Sequence, residues 1–432
     1  MINEAEVQAY LEQIENSGGI VLGLESIREL MAELDNVQQK LQFIHVAGTN
    51  GKGSVCAMLS SILIEAGIRV GTYTSPAVFD RREQYQVDGK RISWEEFAEV
   101  IAQVKTACER MKAKGKMQPT VFEVETAAAF LYFYHKKCEV VVLETGMGGE
   151  TDATNVITKP LVSVLTSISI DHMRFLGNSL RDIAKVKAGI IKEGCPVVAT
   201  KQEPQVCQVI EEACCRKGVA LVYGDERQAE HVRYDTGIGM LHFCYPGLGE
   251  LALSMSGAYQ VQNAACAIET AKVLQTMGFP ITDQQLRTGL SNARWQGRFS
   301  TVFKEPLFVM DGAHNVGAAK KLQETLKRGF TNRKIIYIIG VLADKEHEQM
   351  LQIMLPLAWK VYTVTPFHKR AMDGQALAKE ASKYHQKVRY CPNMEEAVSS
   401  ALKSAEKEQM SMILAFGSLS YLKELRETLK EK

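Results

Sequence analysis

The ten residues HVAGTNGKGS at positions 45–54 follow directly on the apolar run LQFI at 41–44. A strand that empties into a glycine-rich turn and then a helix is the plan of a phosphate-binding loop, in which backbone N–H groups face the anion. The common spacing G-x-x-x-x-G-K-[ST] is not met, because Val46 stands where the first glycine belongs and Gly53 separates Lys52 from Ser54. Composition alone also admits a bland surface turn, since Gly and Asn serve any left-handed bend. The rest of the chain has to decide.

A chain of 432 residues exceeds one ordinary core, so two domains are expected. Apolar content of 46% and charged content of 23% describe a globular chain, and a formal net charge of +1 offers no broad basic face for nucleic acid. Ten cysteines without paired spacing give neither a disulfide framework nor a metal knuckle, which suits a reducing compartment. The start, MINEAEVQAYLEQIENSGG at 1–19, is acidic and amphipathic rather than basic and then apolar, so no signal peptide is expected. No apolar run approaches the roughly 20 residues of a membrane span. A cytoplasmic protein without membrane contact is the expectation.

From residue 41 onward, β-rich apolar runs alternate with helical periods: LQFIHVA, a helix from about Lys52, RVGTYT, helices near 94–112 and 121–136, EVVVLET, LVSVLTSI, a helix near 180–192 and PVVAT. That alternation predicts a mostly parallel sheet covered by helices. The run HVRYDTGIGMLHFCYPGLGELALSM at 231–255 breaks it with short alternating stretches between glycines, read as antiparallel strands. Helices resume over 260–278 and 282–293. A second alternating series follows, with PLFVMDGAHN, KIIYIIG, WKVYTVTP, KVRYC and SMILAFGS each leading into a helical pattern. WQGRF at 295–299 is therefore the expected boundary, dividing an ATPase-like α/β domain over 1–296 from a smaller Rossmann-like α/β domain over 297–432.

Polar clusters in such folds gather where parallel strands end, because the loops there face the ligand crevice. Four do so here: the opening loop, LETGMGGETDATN with Glu144, TSISIDHMRFLGNS with Asp171 and His172, and DGAHN with Asp311 and His314. A strand-end carboxylate such as Glu144 beside a loop hydroxyl such as Ser54 is what an ATP-magnesium site calls for, although the same carboxylate could simply cap a turn. A single loop histidine such as His172 gains meaning only through its neighbours.

Taken in order, HVAGTNGKGS, TYTSP, PTVFEVETAAAFLYF, LETGMGGETDATN, IDHMRFLGNSLRDIAKVKAGIIK, WQGRF and DGAHN resemble the folylpolyglutamate synthase/dihydrofolate synthase branch of the Mur ligase family, from about Phe43 to the FGSLSYL stretch. The glycine after Lys52 is then that family's own form of the phosphate loop. The resemblance implies an ATP-dependent amide ligase, in which ATP phosphorylates the acceptor carboxylate and L-glutamate displaces phosphate. It implies a P-loop domain of mostly parallel sheet followed by the smaller Rossmann-like domain. It carries Gly48, Thr49, Asn50, Gly51, Lys52, Gly53 and Ser54 over as the ATP loop, with Lys52 catalytic. Ser54 is implied as a magnesium ligand, and Glu144 and His172 as ligands of a second magnesium. Asn263 matches a nucleotide-contacting asparagine, Arg298 and His314 match groups that reach the phosphates, and Asp311 matches an acidic residue near the nucleotide. Ligands drawn from both domains imply that closure assembles the site. Lys187, by pattern an ordinary solvated helix lysine, matches one that CO₂ converts to a carbamate, which needs a lowered amine pKa. The resemblance also brings a monovalent cation, a monomeric state, and reduced folate or dihydropteroate as acceptor.

Three positions depart from the family pattern. Ala77 replaces the histidine of T-S-P-H, the N-E-R stretch reads Arg82, Glu83, Gln84, and Glu150 replaces the arginine of G-G-R-L-D-A-T-N. All lie on loops expected to border the acceptor or glutamate. The alternatives are a Mur-type ligase for a non-folate carboxylate and a nucleotide-binding regulator without catalysis. Retention of the phosphoryl-transfer set argues against the second.

Overall fold

A computed structural model describes residues 4–17, 23–235 and 239–430. The chain divides into two compact units, one of Met1–Arg227 with Gln262–Ala293 and the other of Gln228–Val261 with Arg294–Lys432. The third crossing, at 293/294, falls close to WQGRF, but a single cut at 296 does not describe the division. The antiparallel insert belongs to the C-terminal unit, held there by bonds such as Ala258 N–H to Thr325 Oγ1 at 2.8 Å. An insertion of antiparallel strands needs a face to bury, and sequence position does not say which unit supplies it.

The first unit holds strands β1 (Phe43–Ala47), β2 (Val70–Tyr73), β3 (Tyr85–Val87), β4 (Lys90–Arg91), β5 (Val140–Glu144), β6 (Val162–Leu165), β7 (Val197–Thr200) and β8 (Leu221–Gly224) in the order β4-β3-β2-β5-β1-β6-β7-β8. Strands β1, β2, β5, β6, β7 and β8 are mutually parallel, and β3 and β4 add an antiparallel edge. Central parallel strands are covered on both faces, which is why β1 and β5 read as unbroken apolar runs and are buried throughout. Helix boundaries follow local chemistry. Thr120 and Glu123 close a capping box on the helix Val121–His135, and Ser93 and Glu96 do the same for Trp94–Ala113. The helix expected over 180–192 ends earlier, as Leu180–Ala188 with Gly189 at its C-terminus.

The second unit holds two sheets. Strands β9 (Glu230–Asp235), β10 (Met240–Tyr245) and β11 (Gly249–Leu253) form the antiparallel insert read from the glycine-punctuated run, of which 236–238 lie outside the described residues. Strands β12 (Ser300–Lys304), β13 (Leu307–Met310), β14 (Lys334–Ile339), β15 (Ala358–Thr363), β16 (Val388–Tyr390) and β17 (Ser411–Phe416) form a sheet ordered β12-β13-β17-β14-β15-β16. It is parallel except for β12, which pairs antiparallel with β13. Both main sheets are thus the mostly parallel α/β sheets expected from the alternation. Among the described residues no helix is long and apolar enough to cross a membrane.

Candidate active site

The opening loop leaves β1 between β5 and β6, so three strand ends meet there; Val46 lies opposite Glu144, and Ala47 opposite Leu165. Gly48 and Gly51 are glycines for want of room. A Cβ on Gly48 would fall 1.8 Å from Thr166 Oγ1, and one on Gly51, at φ +89°, would fall 2.2 Å from Asn263 Oδ1. Gly51 also turns the chain into the helix Lys52–Glu65, whose first-turn amides have no intrahelical acceptor and carry the positive end of the helix dipole.

The loop is braced from β6. Thr49 and Asn50 both donate their amides to Ser167 O, at 2.8 and 3.0 Å, and Thr166 Oγ1 donates to Asn50 O at 2.9 Å. Asn50 Nδ2 donates to Ser169 Oγ at 2.9 Å, while Thr49 Oγ1 and the Ser169 backbone exchange bonds of 3.1 Å. Thr49 and Asn50 therefore spend their N–H groups on the fold rather than on a ligand. Thr166, Ser167 and Ser169 escaped the sequence reading because their task is visible only when β6 is known to neighbour β1.

Lys52 and Glu144 stand together, Nζ to Oε1 at 3.7 Å, with side chains 14% and 6% exposed. Ser75, just past the end of β2 beside β5, keeps a buried hydroxyl without a hydrogen-bond partner. Its signal was the TSP turn at a strand end. Among the described residues no cluster of three or more His, Cys, Asp or Glu is arranged to hold a metal ion. The donors present, one buried carboxylate with serine hydroxyls, instead fit a magnesium that brings most of its ligands as phosphate oxygens and water. His172 sits on the loop after β6 at φ +51°, its side chain 44% exposed and Nε2 4.0 Å from Asp171 Oδ2.

Lys187 is buried, contrary to the pattern of its helix, and donates from Nζ to Gly48 O at 2.7 Å. Burial, with the charge of Lys52 adding, pushes its pKa down to about 7 against the pull of Asp171 and Asp152. The glycines of GMGGE make this possible: a Cβ on Gly149 would lie 2.8 Å from the carbonyl oxygens of Val186 and Lys187. The same turn carries Asp152, whose carboxylate accepts from Met147 N, Thr154 N and Thr154 Oγ1, burial holding its pKa above the ordinary value.

The three departures sit differently. Gln84 is buried beside Glu125, and the cation lost from that position reappears at Arg81, whose Nη1 is 3.3 Å from Glu125 Oε1. Glu150 is exposed on a turn whose N–H bonds Val186 O at 2.9 Å, and its charge acts on Lys192. Ala77 lies half-buried on the loop after β2.

In the C-terminal unit, Asp311 follows the end of β13 and Arg298 lies against the adjoining Gly312. Asp311 is 2% exposed, and a Cβ on Gly312 would lie 2.0 Å from Arg298 Nη1. His314 Nδ1 is 2.8 Å from Gly312 O.

Comparison with known proteins agrees with this geometry. Residues 46–271 match the Mur ligase middle domain, and 297–419 match the Mur ligase glutamate ligase domain. The Bacillus subtilis dihydrofolate synthase/folylpolyglutamate synthase is 36% identical over 427 residues, covering 95% of this chain and 96% of its own. The structure of Mycobacterium tuberculosis folylpolyglutamate synthase complexed with ADP superposes with a TM-score of 0.88 at 28% identity over 98% of both chains. E. coli FolC in complex with DHPP and ADP gives a TM-score of 0.85 at 28% identity, again over 98% of both chains.

Proposed function

Because the chain belongs to the folylpolyglutamate synthase/dihydrofolate synthase family of Mur ligases, we propose that it joins L-glutamate to a reduced folate at the expense of ATP, with 7,8-dihydropteroate as an alternative acceptor. The observation that carries this reading is the pairing of Lys52 with buried Glu144 at the start of a helix whose preceding loop is braced by β6.

The acceptor carboxylate oxygen attacks the γ-phosphorus, the bond to the ADP oxygen breaks, and an acyl phosphate results. The glutamate amine then attacks the acyl carbon, loses a proton, and releases phosphate. Negative charge accumulates on the transferring group in the first step, and a fixed cation such as Lys52, with the helix-start amides, stabilises it without reorganising. Gly48 and Gly51 keep the loop close to Thr166 and Asn263, and Asn263 is the proposed nucleotide contact. Arg298 and His314 are the proposed phosphate contacts of the C-terminal unit. Magnesium, when bound with the nucleotide, would supply charge neutralisation; Ser54, with Ser75, would hold one ion, and Glu144 and His172 a second.

Lys187 is proposed as the carbamate site. With its pKa at about 7, roughly half of the amine is free base near neutrality, the form that adds CO₂ and releases a proton. In the proposed division of labour the first unit holds most of the nucleotide site and the second, which adds Arg298 and His314, is the glutamate-ligating part. A monomer in the cytoplasm is the corresponding state. ADP release measured with a reduced folate monoglutamate, with and without L-glutamate, tests the reading: release should require both. Equal release with a non-folate acid and none with any folate would replace the folate by another carboxylate.

A further inference from the structure

The carboxylate of Asp311 is saturated by its own unit. Oδ2 accepts from Tyr259 Oη at 2.7 Å and from the Phe299 amide at 2.8 Å, and Oδ1 accepts from the Ala313 amide at 2.8 Å. A buried carboxylate with three donors is a knot in the fold, not an arm waiting for a ligand. What the knot holds is the stretch that carries Arg298. Phe299 has φ +45°, a left-handed conformation that a bulky side chain adopts only when its surroundings impose it. Its N–H to Asp311 is one such constraint, and the Gly312 N–H to Gly297 O at 2.9 Å is another. Between them the Arg298 guanidinium lies across Gly312, where a Cβ would leave it no room.

We propose that Tyr259 is a positioning residue for Arg298, acting through Asp311. The inference rests on reading Arg298 as an ATP-phosphate contact. Tyr259 carries its proton at any working pH, because burial and the adjoining Asp311 hold its pKa well above the ordinary phenol value, so the hydroxyl is always the donor. Without it, Oδ2 keeps only the Phe299 amide. The carboxylate is then free to turn, Phe299 can relax from its left-handed conformation, and Arg298 is no longer aimed. Tyr259 needs no contact with substrate to have this effect.

The test is a double-mutant cycle on the full chain, with affinity for a non-hydrolysable ATP analogue and thermal midpoint measured for wild type, Tyr259→Phe, Arg298→Gln and the double variant. Tyr259→Phe should weaken the analogue on the order of tenfold, the scale of a hydrogen bond to a charged group. The same change in the Arg298→Gln background should cost less than about twofold, while its effect on the thermal midpoint is equal in both backgrounds. Asp311→Asn, run through the same cycle, should behave likewise and serves if Tyr259→Phe fails to fold. Additive losses, or wild-type affinity in Tyr259→Phe, overturn the positioning role while leaving Arg298 as a phosphate contact. Wild-type affinity in Arg298→Gln overturns the reading of Arg298 itself, and the role of Tyr259 with it.

Discussion

Lys187 Nζ and the Gly48 carbonyl oxygen are 2.7 Å apart, so the lysine of a neighbouring helix is fastened to the first glycine of the phosphate loop. The bond survives the proposed modification. A carbamate keeps one N–H on the nitrogen, enough to serve Gly48, and directs its oxygens beyond it. The lysine can therefore brace the loop and present a carboxylate-like group at once.

From this, Lys187→Ala and Lys187→Arg should both be inactive, since arginine keeps a donor and a charge but cannot take up CO₂. The pH dependence has a definite sign. With the pKa lowered to about 7, the free amine that takes up CO₂ is lost as pH falls below that value, so at limiting CO₂ activity should fall between pH 7 and 6, and CO₂-depleted enzyme should be inactive and recover when bicarbonate is supplied near pH 8. A working arginine variant, or indifference to CO₂ across this range, removes the carbamate.

Lys52→Ala should fold normally and turn over poorly. The side chain stands beside Glu144 at a helix start, outside the strands of the sheet. Losing one positioned cation in phosphoryl transfer costs about 3 kcal/mol, on the order of a hundredfold in rate. Steady-state kinetics on a variant with an unchanged thermal midpoint decides the matter, and near-normal kcat would rule out the phosphate-loop assignment.

His45, buried in β1, makes a prediction about stability. Its Nε2 is 2.9 Å from Thr154 Oγ1, and that hydroxyl donates to Asp152 Oδ1, so the histidine is the donor. Nδ1 is buried without a partner. Burial, followed by the charge of Lys192, lowers its pKa from 6.5 to about 3. Between those values the unfolded chain binds a proton that the folded chain refuses, so stability is lost as pH falls below 6.5 and is unaffected above it. At pH 5 the contribution is about 2 kcal/mol. Urea unfolding of wild type and His45→Gln at pH 7.5 and pH 5 should show the wild type losing more. Equal losses would mean that His45 titrates normally.

The contrast between Glu144 and Lys187 shows what the sequence could disclose. Glu144 ends an unbroken apolar run, and a strand-end carboxylate is a local pattern; the structure makes it the last residue of β5. The opening loop, the DGAHN turn and the antiparallel insert were legible for the same reason. Lys187 lies on an amphipathic helix among other lysines, and the close approach of the 146–149 turn and of the Gly48 loop buries it. The bracing of Thr49 by Ser167 and of Phe299 by Asp311 depends on which strands are neighbours and on a left-handed turn. Neither leaves a periodicity. The family resemblance supplied Lys187, but not its bond to Gly48.

The last prediction concerns the three departures, which the structure separates. The cation missing at Gln84 is supplied by Arg81, 3.3 Å from Glu125. Glu150 is exposed on its turn and is the least of the charges acting on Lys192, whose pKa burial and the neighbouring cations lower. Ala77 removes a protonatable group from the loop that follows β2 toward the strand-end edge where Glu144 stands. The folate acceptor is anionic, and a cationic or protonatable group there would contribute equally in ground and transition states, changing KM more than kcat. Ala77→His should therefore lower KM for a reduced folate glutamate by up to about fivefold, the scale of one accessible charge contact, with the ATP KM unchanged. Glu150→Arg should leave the folate KM where it is and bring a second positive charge close to Lys192, lowering the thermal midpoint slightly. If Glu150→Arg improves folate binding and Ala77→His does not, the acceptor lies against the GGETDATN turn on the Lys192 side, and the loop after β2 has no part in its recognition.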